Sequence, residues 1–337
     1  MSDGDDMRNQ PGPDPKAQSR VWVEAWSPEY GASYEVTNAI ASSDEEVAPF
    51  VETEDWAPIP VGASERPRLA FIDGVSRVDA RAFLDTGPLT VPGLCGSVGI
   101  GAVFVEGSRA RFGPYEIHRR LIFGSGAEGP APYIDASLIY EALSVPGAKP
   151  EDLRHGLETA RGAVEAQLAL KLAREGWLVV ADGALGILEP LGVIGFIKSH
   201  QRAYLTPDLE PVVRALAAGE RTPIFQFGVI RPRYSWYTRL AESQNQHPWA
   251  AIARCEVSAT LPLNRAVELA DIATFHLPRF ASKAFWDTRA PQNLVPIATL
   301  ERRLWHLLGD RELVYRKIRS ALLRPHANQT ARQPSNA

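Results

Sequence analysis

Two apolar runs, each closed by an Asp-Gly pair, constrain this chain more than any other feature. The first is Leu69-Ala70-Phe71-Ile72-Asp73-Gly74 and the second is Trp177-Leu178-Val179-Val180-Ala181-Asp182-Gly183. Short runs of large apolar and β-branched residues bounded by a turn signal read as buried strands. Each strand delivers one carboxylate to its tip, and the following glycine lets backbone or ligand come close. Oxygen donors gathered from such tips suit a hard divalent cation, Mg²⁺ or Mn²⁺.

A helix leads into the second strand. Pro150 suits its first position, with Glu151 and Asp152 at the positive end of the dipole. Leu153, Leu157, Ala160, Val164, Leu168 and Leu172 recur at three- and four-residue steps, and Gly176 ends the pattern. At roughly 100° per residue, Glu165 lies about 20° from Leu172 and about 60° from Leu168, on the flank of the apolar stripe. Asp73, Glu165 and Asp182 are thereby expected to meet at one edge of a sheet. Glu301 has similar geometry on a late helix over residues 296–308, about 20° from Leu308 and about 40° from Ile297. Each acid has a plainer reading. Asp73 and Asp182 would be turn aspartates. Glu165 and Glu301 would be boundary glutamates beside arginines. Lys198, closing a strand over 193–198, faces a phosphate on the functional reading and solvent on the plain one.

The remaining pattern predicts an α/β fold with a mixed sheet. Strands are expected over 69–77, 80–83, 97–106, 109–115 and 116–123, forming an antiparallel meander. After the helix come strands at 178–181 and 193–198, a helix at 207–218, a strand at 224–230 and the late helix, with Gly309 as its stop and Asp310 capping the next. Residues 231–239 interleave Arg231, Arg233 and Arg239 with Tyr234, Trp236 and Tyr237, a mix suited to stacking on unpaired bases or to a half-buried interface strand.

Charge is uneven. The net value of −4 hides an acidic leader, residues 1–55, with thirteen Asp/Glu against three Lys/Arg. The body carries 33 basic and 27 acidic residues, compatible with a phosphate-backbone partner. Three parts are expected: an acidic, partly disordered arm over 1–55 that includes Trp22, Trp26, Tyr30 and Tyr34, a body over 56–325, and a disordered tail over 326–337. Only two cysteines, Cys95 and Cys255, are present, which argues against a disulfide framework or a thiolate zinc site. No signal peptide or membrane span is visible, so a cytoplasmic location is expected. The seven histidines, His200 among them, show no metal-ligand spacing, and no Walker A loop or G-x-S-x-G elbow occurs.

In order along residues 66–322, these segments resemble the NurA family of nucleases. The matching pieces are Phe71-Ile72-Asp73-Gly74-Val75-Ser76-Arg77, the helix carrying Glu165, Val179-Val180-Ala181-Asp182-Gly183-Ala184-Leu185 and Gly195-Phe196-Ile197-Lys198. Ser235-Trp236-Tyr237-Thr238-Arg239-Leu240 and the stretch 294–303 complete the set. The resemblance implies an RNase H-like mixed sheet flanked by helices. It also implies a manganese-dependent nuclease acting on single-stranded DNA and duplex ends, a homodimer, and docking on a hexameric HerA-type ATPase. It makes Asp73, Glu165 and Asp182, aided by Glu301, ligands of two Mn²⁺ or Mg²⁺ ions. Arg77, Lys198, Arg231, Arg233, Trp236 and Tyr237 become the expected DNA contacts. One departure stands out: Asn293 and Glu301 occupy the positions of the family's usual tyrosine and histidine. The rival expectations are a weak or inactive subunit that binds the ATPase, and a phosphoesterase for small phosphate compounds.

Overall fold

The computed structural model describes residues 20–23 (backbone only), 46–186, 189, 191–198, 204–242, 249–283, 285 and 290–322. Three long antiparallel strands start the body: β1 (Leu69–Asp85), β2 (Thr90–Glu106) and β3 (Arg109–Phe123). A short strand β4 (Glu141–Ser144) joins β3 in parallel at the sheet edge. Helix α1 (Pro150–Arg174) then returns the chain to β5 (Leu178–Asp182) and β6 (Val193–Ile197). Strand β5 lies parallel to both β1 and β6. A six-residue helix α2 (Glu210–Ala215) is followed by β7 (Phe225–Phe227), β8 (Arg233–Arg239) and β9 (Ile252–Ser258), which pair antiparallel and continue the sheet beyond β6. Helices α3 (Leu263–His276), α4 (Val295–Leu307) and α5 (Arg311–Leu322) end the described chain. The sheet order is β7-β8-β9-β6-β5-β1-β2-β3-β4.

Alternation along the central strands sends side chains to two cores. Leu69, Phe71, Val75, Val180 and Phe196 pack with α3 and α4, including Ala270, Ile297, Leu300 and Leu304. Ala70, Ile72, Val179 and Ala181 face the other way, onto Leu157, Leu168 and Leu172 of α1. Helices α1 and α4 thus cover opposite faces, and β1 and β5 are buried on both, which is why their runs are continuously apolar.

Several expectations change. The strand read as two pieces, 69–77 and 80–83, is one 17-residue strand. A bulge between Val78 and Ala80 absorbs the irregularity, so the chain bends without turning back. Asp73 therefore sits within β1, not at its tip, whereas Asp182 is the last residue of β5. The strand expected from residue 97 begins at Thr90, and the helix expected over 207–218 is only α2. Part of the acidic leader belongs to the body: Val47–Ala48 pairs with β7, and Glu52 receives two bonds from buried Arg221, at 2.8 and 2.9 Å. Arg20–Val23, which includes Trp22, pairs with β1. Trp26, Tyr30, Tyr34, His200, His247 and the tail at 326–337 lie outside the described residues. Cys95 and Cys255 are both free and buried. No described helix is long and apolar enough to cross a membrane.

The bulge carries a charge into the core. Asp79 is fully buried and accepts hydrogen bonds from Arg77 Nε (2.9 Å), Tyr140 (2.8 Å) and Ser97, with Arg119 3.8 Å away. Removing a partner of a buried pair strands the opposite charge. Asp79→Ala is expected to cost about 3–5 kcal/mol. Tyr140→Phe, which deletes one bond, should cost about 1–2 kcal/mol. Urea denaturation with an unchanged m-value checks both.

Candidate functional site

The ladder between β1 and β5 ends at the pair Ile72–Ala181. The next residue on each strand is an aspartate. Asp73 follows the Phe71 and Val75 side of β1, and Asp182 follows the Val180 side of β5, so both belong to the face covered by α4. Glu165 approaches from α1 on the other face, where the paired strands part company.

The three acids act on one another. Asp73 is 6% exposed, and burial pushes its carboxyl well above the usual range. The charges of Asp182 and Glu165 push it further, while the Gly74 N–H (2.7 Å from Asp73 Oδ1) and Lys198 oppose them. Burial likewise raises Glu165 to about 7, against the pull of Arg161 and with the help of Asp182.

Two cations hold the acids in place. Lys198 Nζ donates to Asp182 Oδ2 at 2.7 Å and to Asn293 Oδ1 at 3.1 Å. Arg161 donates from Nη1 to Glu165 Oε2 at 2.8 Å and from Nε to Glu158 at 2.9 Å. Gly74 makes room for that arginine. A Cβ there would lie 3.2 Å from the Arg161 side chain and 2.6 Å from Ile100, so the glycine of the first Asp-Gly pair serves α1 packing. Asp182 Oδ1 is buried with no hydrogen-bond donor, the one such carboxylate oxygen among the described residues.

The segment after Asp182 is clamped. Leu185 N–H donates to Glu256 Oε1 at 2.7 Å, and Arg233 Nη2 donates to the Leu185 carbonyl at 2.8 Å. Glu256 is itself held by Arg254 at 2.6 Å. A Cβ at Gly195 would come within 2.9 Å of the Gly183 carbonyl, so the close approach of this loop to β6 requires glycine.

Several expected DNA contacts are corrected by burial. Arg77 is buried against Asp79 and donates to the carbonyls of Leu308 and Gly309, ending α4. Arg233 is engaged with Leu185 and Glu256. Trp236 and Tyr237 are core residues of β8, since a strand buried on both faces hides every side chain. Arg231 is exposed at the β7–β8 turn, and Lys198 is partly exposed beside Asp182. Glu301 is half-buried on α4. Arg303 lies over Phe112 of β3 at 4.2 Å, and Glu301 is about 160° around the helix from it, on the side toward β1 and β5.

Arg161, Asn293 and Glu256 were not picked out as site residues from sequence. For Arg161 a signal existed, because its i,i+4 spacing to Glu165 places the two side by side on α1. Nothing local marked Glu256, which meets the Asp182 loop from a distant strand.

As a donor set, three carboxylates with one buried unpaired oxygen match a hard divalent cation. Among the described residues no group of three His, Cys, Asp or Glu side chains is disposed to hold a metal as it stands. Lys198 and Arg161 each occupy one carboxylate oxygen of the set, on Asp182 and Glu165.

No protein-family model matches the chain, and no curated protein matches it significantly. Among solved structures, the crystal structure of the NurA nuclease from Sulfolobus solfataricus aligns over 79% of this chain and 87% of its own, at 12% identity and a TM-score of 0.49.

The raised acids predict a pH-dependent stability. The folded-state value of Glu165, about 7, exceeds its ordinary 4.5, so the folded chain binds the extra proton between them. Its stabilising effect is complete below pH 4.5 and is lost as pH rises through 7, a loss of about 3 kcal/mol. Asp73 acts in the same direction. In chelator-treated protein, thermal unfolding should therefore occur at lower temperature at pH 8 than at pH 5.5. Glu165→Gln should reduce that difference, leaving the part due to Asp73.

Proposed function

We propose that this chain is a metal-dependent DNA nuclease of the NurA type with an RNase H-like core. The observation that carries the reading is the buried, unpaired Asp182 Oδ1 beside two further acids whose protons are held by burial and by the charge of Asp182. A divalent cation placed among such acids would displace their protons and offset their charge. An RNase H-like core is supported by the order of elements: a three-strand meander, a helix, and two parallel strands added beside the first. The order of sequence segments supports the NurA assignment.

Asp73, Glu165 and Asp182 would hold Mn²⁺ or Mg²⁺, with Glu301 as a fourth acid from α4 and room in the charge balance for two ions. The bound metal supplies an acidified water and a Lewis acid for the phosphodiester. Lys198 then has a second task. Its ammonium, set free from Asp182, is placed to neutralise the phosphate, while Asn293 keeps hold of it. Arg161 holds Glu165 in place and moderates the repulsion among the acids. Arg231 offers a cation to the DNA backbone at the mouth of the β7–β8 turn. Association with a HerA-type ATPase, and with a second copy of this chain, is supported by the segment order.

A weak or inactive ATPase-binding subunit is the second reading. What favours it is that Lys198 and Arg161 already neutralise two of the three acids.

With Mn²⁺ and labelled single-stranded DNA, wild type is expected to cleave and Asp73→Ala to be slower by at least about 100-fold. Equal rates in the two proteins would end the catalytic assignment, and no cleavage by either would favour the second reading. Metal binding has its own readout. Mn²⁺ at about 100 times its dissociation constant should stabilise wild type by about 2.7 kcal/mol, and Asp182→Asn should lose most of that gain.

A further inference from the structure

A cavity of about 550 Å³ opens on the α4 face of the sheet, between the β2–β3 hairpin and the first turn of α4. Phe112, Phe280 and Pro296 are among its apolar walls, and Arg279 and Lys283 line it with positive charge. Among the described residues no carboxylate lines it. Its volume falls in the range of small-molecule sites, roughly 300–1,000 Å³.

The cavity adjoins the acids. Phe280 packs edge-on against Phe71, with ring centroids 4.8 Å apart. Phe71 precedes Asp73 by two residues on the same face, a step of about 7 Å along a strand. From the other side, Asn293, which holds Lys198, stands two residues before Val295, itself a wall of the cavity.

Its chemistry is mixed in a particular way. The Arg279 guanidinium lies 4.5 Å over Phe280, and Arg303 of α4 lies 4.2 Å over Phe112. Burial, and then the charge of Arg66, make Arg279 a weaker base than usual. A plain anion would leave the rings unused, and a neutral apolar ligand would leave the cations unused. A nucleoside monophosphate uses both, with its base on ring and guanidinium faces and its phosphate among the cations.

We infer that this cavity holds one nucleotide of the strand presented to Asp73, Glu165 and Asp182. Its link to those acids rests on the nuclease reading, but its occupancy is measurable without cleavage.

The test is calorimetric titration of the full chain with dAMP in metal-free buffer. Saturable binding is expected, with deoxyadenosine and inorganic phosphate each weaker by at least about ten-fold. Arg279→Ala/Lys283→Ala, which alters only exposed side chains, should weaken dAMP binding by about ten-fold or more. It should also raise KM for single-stranded DNA with kcat little changed. Asp73→Ala should still bind dAMP, and a short oligodeoxythymidylate should displace the nucleotide from that variant. Failure to displace it would overturn the strand assignment. Absent dAMP binding, or binding indifferent to the double variant, would overturn the pocket even if Asp73→Ala abolishes cleavage. If dAMP binding behaves as expected while Asp73→Ala cuts as fast as wild type, the pocket stands and the catalytic reading falls.

Discussion

The crowding of three acids where β1 and β5 part is the constraint around which this molecule is arranged. Asp73, Glu165 and Asp182 come from β1, α1 and β5, and burial makes Asp73 and Glu165 costly to ionise. Lys198 and Arg161 supply the compensating charge, and both are held by further contacts, to Asn293 and to Glu158. The arrangement is costly enough that it persists only because the surrounding elements leave the acids no other position.

Those elements act through the sheet. Strand β5 stops one residue beyond its last pairing with β1, while β1 runs on for more than ten residues against β2. The parting of the strands lets acids from opposite faces influence one another. Glu256 and Arg233 clamp the backbone that leaves Asp182. At the far end of β1, the Asp79 cluster ties the bulge to Arg77, which in turn closes the C-terminus of α4. Helix α4, the Asp73 face and the apolar, cation-lined cavity thus lie on one face of the sheet.

Much of the fold was legible before any coordinates. The three-and-four-residue rhythm of α1, its Pro150 start and its Gly176 stop need only local information, and the helix lies where they indicate. Asp310 caps α5 through Leu313 N–H at 2.7 Å, as its position suggested. The apolar runs ending at Asp73 and Asp182 are central strands. Legibility failed where pattern is ambiguous. A strand that interleaves aromatic and cationic residues, such as 231–239, reads equally as a surface for stacking on bases or as a half-buried interface strand. Burial on both faces made Trp236 and Tyr237 core, and paired Arg233 internally.

The sequence by itself determined which segments become helix or strand and which of them carry acids, because periodicity, caps and turn residues act over a few neighbours. Tertiary structure alone decided the company those acids keep. The spacing from Asp73 to Glu165, or from Asp182 to Glu256, is bridged by chain folding, and contact between residues so far apart leaves no local trace. For the same reason Arg77 and Arg233, indistinguishable in sequence from surface cations, became internal struts, while Arg279 and Lys283 came to line one cavity.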